Sequence, residues 1–390
     1  MWPTTASPAV KSSPHEALAP ADRLEYALGS MDFGLFMMPL HPPHRALADG
    51  YQRDVDQIVL ADQLGFREAW VGEHLTERWE NAPAPDLLLA QALALTKRIK
   101  LGTGVTLLAL HNPVYLAHRL AMLDHMARGR FQWGIGGGAI PTDLSLFGLD
   151  ASDPAAVRAR SAEVLDVVLK LWASEGQFSY HGKFFDIDTP VFDPVKDRGY
   201  YMKPYQRPHP PIAVAASTPD SSSMRMAGQR GWIPMSSSLL SRTYLSDHWR
   251  LVETGAASGG LKAERSQWRV ARDVLVGPTP AVARERARTV MGRNYVRHQH
   301  PNRVGTIQMT STKLEASMPD EAVTVDYLMD NVWIVGDPSQ CVEQIHRLHE
   351  ESGGFGTLLS ITTDSDDAGW DHESLRLLME QVAPRVAHLG

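Results

Sequence analysis

From Phe33 onward the chain alternates short apolar runs with helix-periodic segments, and it does so eight times. The strand-like runs cover residues 33–39, 68–72, 99–105, 131–135, 212–216, 232–235, 269–276 and 356–361. Between them lie helical patterns, such as 54–64, where Val55, Ile58, Val59, Ala61 and Leu64 share one face and Gly65 follows as the stop. Others are read at 86–96, from 113 to 126, at 154–172, 221–229, 244–254 and from Pro280. Asp337, Pro338 and Gln340 mark a helix start, and a last helix over 372–382 is expected to stop before Pro384. Strict alternation means parallel strands joined by right-handed crossovers. An open doubly wound sheet and a closed barrel both satisfy it, and eight units favour the α/β (β/α)8 TIM barrel. A barrel of this kind carries its chemistry on the loops that follow the C-terminal strand ends.

Three segments depart from the alternation. Residues 178–187 read as a two-stranded excursion, 188–210 as a Pro-rich loop, and 293–325 as an insertion after strand seven without clear period, a lid. Residues 1–30 are rich in Ala, Pro and Ser and read as a mobile N-terminal extension, with Met31 an alternative start and 31–390 one domain. The net charge of −7 and the absence of a basic run argue against nucleic acid. The single cysteine, Cys341, supports neither a disulfide nor a thiolate metal site and fits a cytoplasmic protein. No apolar run reaches membrane-spanning length.

The strand ends carry the candidate chemistry. After strand one, Met38 opens a Pro-fixed loop containing His41 and His44, read as structural or substrate-lining, with nothing nearby to make a metal site. After strand two, Glu73 and His74 place a carboxylate beside an imidazole, the side chain that exchanges protons near neutrality. After strand three, Gly102 and Gly104 suit a barrel bend as well as the close approach of a flat ligand. After strand four, Gly134, Gly136 and Ala139 match a dinucleotide fingerprint, but Pro141 interrupts and no helix is expected before Pro154. A Rossmann site is therefore rejected, and Gly136, Gly137 and Gly138 remain as a loop whose amides approach a phosphate. After strand five, Ser217, Thr218, Ser221, Ser222 and Ser223 converge on a helix N-terminus, an anion site larger than one N-cap requires. Protease, hydrolase and nucleoside-triphosphatase signatures are absent.

These segments together resemble the bacterial luciferase-like, flavin-dependent monooxygenases. The resemblance spans nearly all of 31–390 and rests on GEHLTERWENAPAP (72–85), IKLGTGVTLLALHNP (99–113), LDHMARGRFQWGIGGG (123–138) and VWIVGDP (332–338). SMRMAG (223–228) and GGFGTLL (353–359) are similar to the diketocamphane and limonene monooxygenase branch. The resemblance implies a barrel with FMN at its C-terminal face, His74 beside the reacting flavin with Glu73 preceding it, and a non-prolyl cis peptide at Gly104-Val105 under the ring. It places the phosphate at Ala216 and Ser217–Ser223, and puts Gly137 where luciferase has a phosphate-binding arginine. It further implies reduced FMN from a separate NAD(P)H:flavin reductase, O2 as co-substrate, a C4a-(hydro)peroxyflavin and a homodimer. Small apolar, cyclic or terpenoid ketones or alkenes are the expected substrates, with Phe36, Met38, Trp79 and Trp370 as apolar walls. The rival readings are an F420-dependent hydride-transfer enzyme on the same scaffold and a flavin binder without activity.

Overall fold

The computed structural model describes residues 31–137 and 140–390. All eight expected strands are present: β1 (Asp32–Met37), β2 (Glu68–Val71), β3 (Lys100–Leu107), β4 (Phe131–Gly136), β5 (Ile212–Ala216), β6 (Ile233–Ser236), β7 (Arg269–Val276) and β8 (Thr357–Ile361). They run parallel in sequence order, and pairing of Met235 with Arg269 and of Thr357 with both Arg269 and Asp32 closes the ring. Closure leaves each of these eight strands paired on two sides.

Side chains alternate between the helix-facing layer and the barrel interior. One indole dominates that interior. Trp70 is fully buried, and the neighbouring strand makes room for it: a Cβ on Gly102 would lie 2.3 Å from Trp70 Cε3. Gly102 is thus explained by the barrel's own packing. At the N-terminal floor, Glu68 accepts from Trp70 Nε1 at 2.9 Å, from Arg269 Nε and Nη2 at 3.1 Å each, and from Gln132 at 3.3 Å. Burial would raise the Glu68 pKa, but Arg269, Trp70 and Gln132 more than offset it and hold the carboxyl below its ordinary range.

The outer helices follow from the apolar stripes. Helix α1 (Leu47–Leu64) begins a turn and more earlier than its periodicity suggested and ends at Gly65, whose φ of 90° only glycine adopts freely. Its Asp62 accepts the amides of Lys97, Arg98 and Ile99 at 2.7–3.0 Å, fixing the entry to β3. The expected excursion is a hairpin of Ser179–His181 and Asp186–Asp188.

Four expectations are corrected. A short helix, Pro141–Leu146, does open after β4, with Pro141 inside its first turn, where a missing N–H costs nothing. The Rossmann reading still fails, because the sheet is closed. Segment 293–325 is largely helical, including His300–Arg303 and Ile307–Thr312, and its apolar residues serve a separate small core around Tyr295, Met309, Leu328 and Trp333. That packing explains the missing amphipathic period. A further strand, Ile334–Gly336, pairs with the outer half of β7. Pro384 does not end the last helix: a wide-turn stretch at Leu378–Val382 leads into Ala383–Val386, with the proline in its first turn. The expected extension, residues 1–30, lies outside the described residues.

Removing Glu68 strands a buried guanidinium. Glu68→Ala is expected to cost about 3–5 kcal/mol, and the double variant Glu68→Leu/Arg269→Met to cost less than the single one. Urea unfolding of both variants measures this, and an equal or larger loss in the double variant refutes the pairing argument.

Candidate active site

A cavity of about 780 Å³ opens at the C-terminal face, and every barrel strand or the loop after it contributes to its wall. That size falls within the range of small-molecule and cofactor sites. Phe36 and Met38 come from β1, Glu73 and His74 from β2, Gly104 and Val105 from β3, Gly136 and Gly137 from β4, and Ala216, Ser217, Ser221 and Ser223 from β5. Gly138 lies outside the described residues. Ser222 is not in the lining. Trp79 and Trp370 are not in it either: Trp79 stacks on His298 at 6.3 Å, and Trp370 lies under Arg286 at 5.0 Å. Their apolar surface packs under long or ring side chains of other loops.

The wall after β3 is shaped by backbone. The Gly104–Val105 peptide is cis, and β3 shifts register against β4 between Thr103 and Thr106. A Cβ on Gly136 would lie 2.4 Å from Val105 Cγ2, so the two strand ends approach as closely as they do only with glycine there. Glu73 holds this arrangement: its buried carboxylate accepts Leu107 N at 2.8 Å and bonds His111 Nε2 at 2.9 Å. Glu73 therefore ties the β2 end to the β3 end, and its neighbour His74 is the residue free to face the cavity.

His74 lies between two carboxylates. Nε2 is 3.5 Å from Glu80 Oε2, and Nδ1 is 3.5 Å from Asp143 Oδ2, with no hydrogen bond closed at Nδ1. Asp143, on the short helix after β4, is fully buried and accepts Thr76 N at 2.8 Å and Thr76 Oγ1 at 2.6 Å. Neither carboxylate was identified from the sequence. Asp143 stood in a stretch read as helix-free, and Glu80 lacked any periodic signal.

Glu80 also joins the barrel to the lid. His298 Nε2 meets Glu80 Oε1 at 3.1 Å, and His298 Nδ1 lies 3.4 Å from Glu77. Burial works to raise the Glu80 pKa, but the hydrogen bond and charge of His298, with His74 and Arg303, hold it below the ordinary carboxylate range. The lid adds Gln299, Arg303 and Gln308 to the cavity wall.

Opposite, the loop after β5 is held by a relay missing from any sequence signal. Trp268 Nε1 donates to Ser236 Oγ at 2.9 Å, Ser236 pairs with His248 Nδ1 at 2.9 Å, and His248 Nε2 reaches Thr218 O at 2.7 Å. Burial lowers the His248 pKa, which keeps the ring neutral for this relay. Ser221 caps the following helix, Ser222–Arg230, through Ser223 N. His41 and His44 serve the framework: His41 bonds Asp54 at 2.9 Å and Asn81 at 2.6 Å, and the exposed His44 meets Asp366 at 3.1 Å.

A luciferase-like monooxygenase family model matches residues 31–354. The chain belongs to that family. Among its curated relatives, 4-hydroxyprotoasukamycin monooxygenase of Streptomyces nodosus subsp. asukaensis is 32% identical, across 91% of this chain and 92% of that one. Limonene 1,2-monooxygenase of Rhodococcus erythropolis is 30% identical, across 91% and 87%. The oxygenating constituent of 3,6-diketocamphane monooxygenase from Pseudomonas putida, solved in complex with FMN, superposes with a TM-score of 0.85 at 29% identity, covering 92% and 99% of the two chains. Family membership agrees with the observed barrel. Among the described residues, no helix is long and apolar enough to cross a membrane.

Glu80→Ala is expected to destabilise the fold by about 3 kcal/mol at pH 7. Its carboxyl pKa is depressed in the folded chain, so its stabilisation is present above the ordinary value of 4.5 and disappears as pH falls below it. The deficit of the variant in thermal unfolding should therefore shrink steadily below that pH. A pH-independent deficit contradicts the ionic origin.

Proposed function

We propose that this chain is the oxygenating component of a two-component flavin-dependent monooxygenase. It takes reduced FMN from a separate NAD(P)H reductase and uses O2 to oxygenate a small, largely apolar organic molecule. One observation carries the reading: all eight strand ends converge on one cavity, with a hydroxyl-rich helix N-terminus on the β5 side and His74, set between Glu80 and Asp143, on the β2 side. The FMN-bound relative and its description as an oxygenating constituent support it.

The residues fit FMN. Gly104, Val105, Phe36 and Met38 bound a space suited to a flat ring. Ser217, Thr218, Ser221 and Ser223 present hydroxyls and first-turn amides suited to a phosphate. Gly137 supplies no cation, but Arg158 does. It lines the same cavity, and its guanidinium makes no hydrogen bond or ion pair among the described residues. Ser161, one turn further along the helix Pro154–Ala173 that carries Arg158, would lie 3.9 Å from a Cβ on Gly137, and β4 pairs with β5 through Ile135 and Val214. Arg158 therefore approaches the β4–β5 side from outside the strand.

Reduced FMN supplies the electrons that activate dioxygen. The chain's own residues hold the ring and phosphate, exclude water with the lid, and manage protons. His74 is the group for that last task, exchanging a proton at a ring nitrogen from its place between Glu80 and Asp143. Glu73 acts through position, by fixing the β2 and β3 ends.

The carrying experiment mixes anaerobic protein and reduced FMN with oxygenated buffer in a stopped-flow spectrometer. Bound flavin should reoxidise at least about tenfold more slowly than free reduced FMN, and His74→Ala should change that rate without changing flavin affinity. Reoxidation at the free-solution rate overturns the reading and turns attention to hydride transfer from reduced F420. Separately, Arg158→Met should weaken FMN binding roughly tenfold to hundredfold while leaving riboflavin binding unchanged. Fluorescence titration of both flavins measures this, and an unaltered FMN preference removes Arg158 from the phosphate site.

A further inference from the structure

Arg303 sits on the lid helix His300–Arg303, is half-buried, and forms part of the wall of the cavity. The guanidinium makes no hydrogen bond and no ion pair within 4 Å among the described residues. Its electrostatic neighbours are Glu80, after β2, and Asp273, on β7. A guanidinium carries five donors and stays protonated in proteins, so one that faces a cavity without a protein acceptor offers those donors to a bound molecule. Gln299 and Gln308, from the same lid, line the cavity too, and neither side-chain amide has a partner among the described residues. Three lid residues thus offer donors that the fold itself leaves unused.

Their place in the ring separates them from the phosphate. Arg303 lies between the β2 and β7 sides, whereas Ser217–Ser223 and Gly137 belong to β5 and β4. Arg303 therefore belongs to the side of the cavity where β2, β8 and β7 contribute His74, Leu359 and Ala271, and the apolar part of that wall suits the organic substrate. We infer that Arg303 is a specificity-determining residue: it receives a neutral carbonyl oxygen of the substrate, selecting oxygen-bearing molecules over bare hydrocarbons of the same skeleton. The acceptor is neutral because Glu80 and Asp273 already place acidic groups around the guanidinium, and a substrate carboxylate would add a further anion beside them. A site built to hydrogen-bond an oxygen disfavours analogues that lack it, since they displace the water on its donors without replacing those bonds.

This inference rests on the monooxygenase reading. Three probes share one carbon skeleton: limonene as hydrocarbon, carvone as ketone and perillate as carboxylate. Their affinities for the FMN-loaded protein are read from intrinsic tryptophan fluorescence, in wild type, Arg303→Met and Arg303→Lys. The wild type should bind carvone at least about tenfold more tightly than limonene or perillate. Arg303→Met should bring the carvone-to-limonene ratio close to one, and Arg303→Lys should restore part of it, with FMN affinity equal in all three proteins. The inference is overturned if carvone does not bind the wild type, if the ratio survives in Arg303→Met, if perillate binds most tightly, or if Arg303→Met loses FMN. Failure of the wild type to bind FMN at all instead sinks the underlying functional reading.

Discussion

The architecture depends on one buried carboxylate. Glu68 sits at the closed floor of the barrel and accepts from side chains of β2, β4 and β7 at once. A charge in that position is tolerated only with every lone pair engaged. The ring must therefore close with Arg269 opposite Glu68, and the registers of β2 and β7 are set relative to each other. Above this ionic layer Trp70 fills the interior and Gly102 yields to it. The open cavity begins only above that plug, which is why the chemistry is confined to the strand ends.

The same device recurs at the mouth in functional form. Three carboxylates organise the β2 side. Glu73 joins two strand ends, Asp143 joins the β4 helix to the loop after β2, and Glu80 joins that loop to the lid. Each takes hydrogen bonds from backbone or imidazole groups that would otherwise be buried unsatisfied. His74 lies within 3.5 Å of two of them. The imidazole is thereby flanked by a carboxylate of its own loop and by one from the helix after β4, and the lid is anchored to the former, Glu80. His74 and the lid residue His298 thus share one carboxylate, Glu80.

Much of this was legible in the chain. Eight alternations fixed the strands to within a few residues, and glycine, serine and proline at strand ends marked the cavity's rim. The Glu73-His74 pair was visible because both residues lie at one strand end. What escaped notice involved partners far apart. The Trp268–Ser236–His248–Thr218 relay joins two loops, a strand and a helix without a local pattern. The lid's helices were hidden because their apolar residues face a private core, and so show no stripe toward the barrel. Trp79 and Trp370 were misjudged as pocket walls because an aromatic residue in a loop after a strand gives no sign of which neighbour it will cover.

By itself the sequence determined the alternation of elements, the parallel topology that follows from it, and the face on which function must lie. Periodicity and right-handed crossover are local properties of the chain, so they can be read from it. The tertiary structure alone decided which donors and acceptors meet. Asp143 reaches His74 only because the barrel curls β2 and β4 toward one mouth. Arg303 enters the cavity only because the lid packs back across that mouth. Such contacts depend on closure of the ring, and closure is a property of all eight strands together.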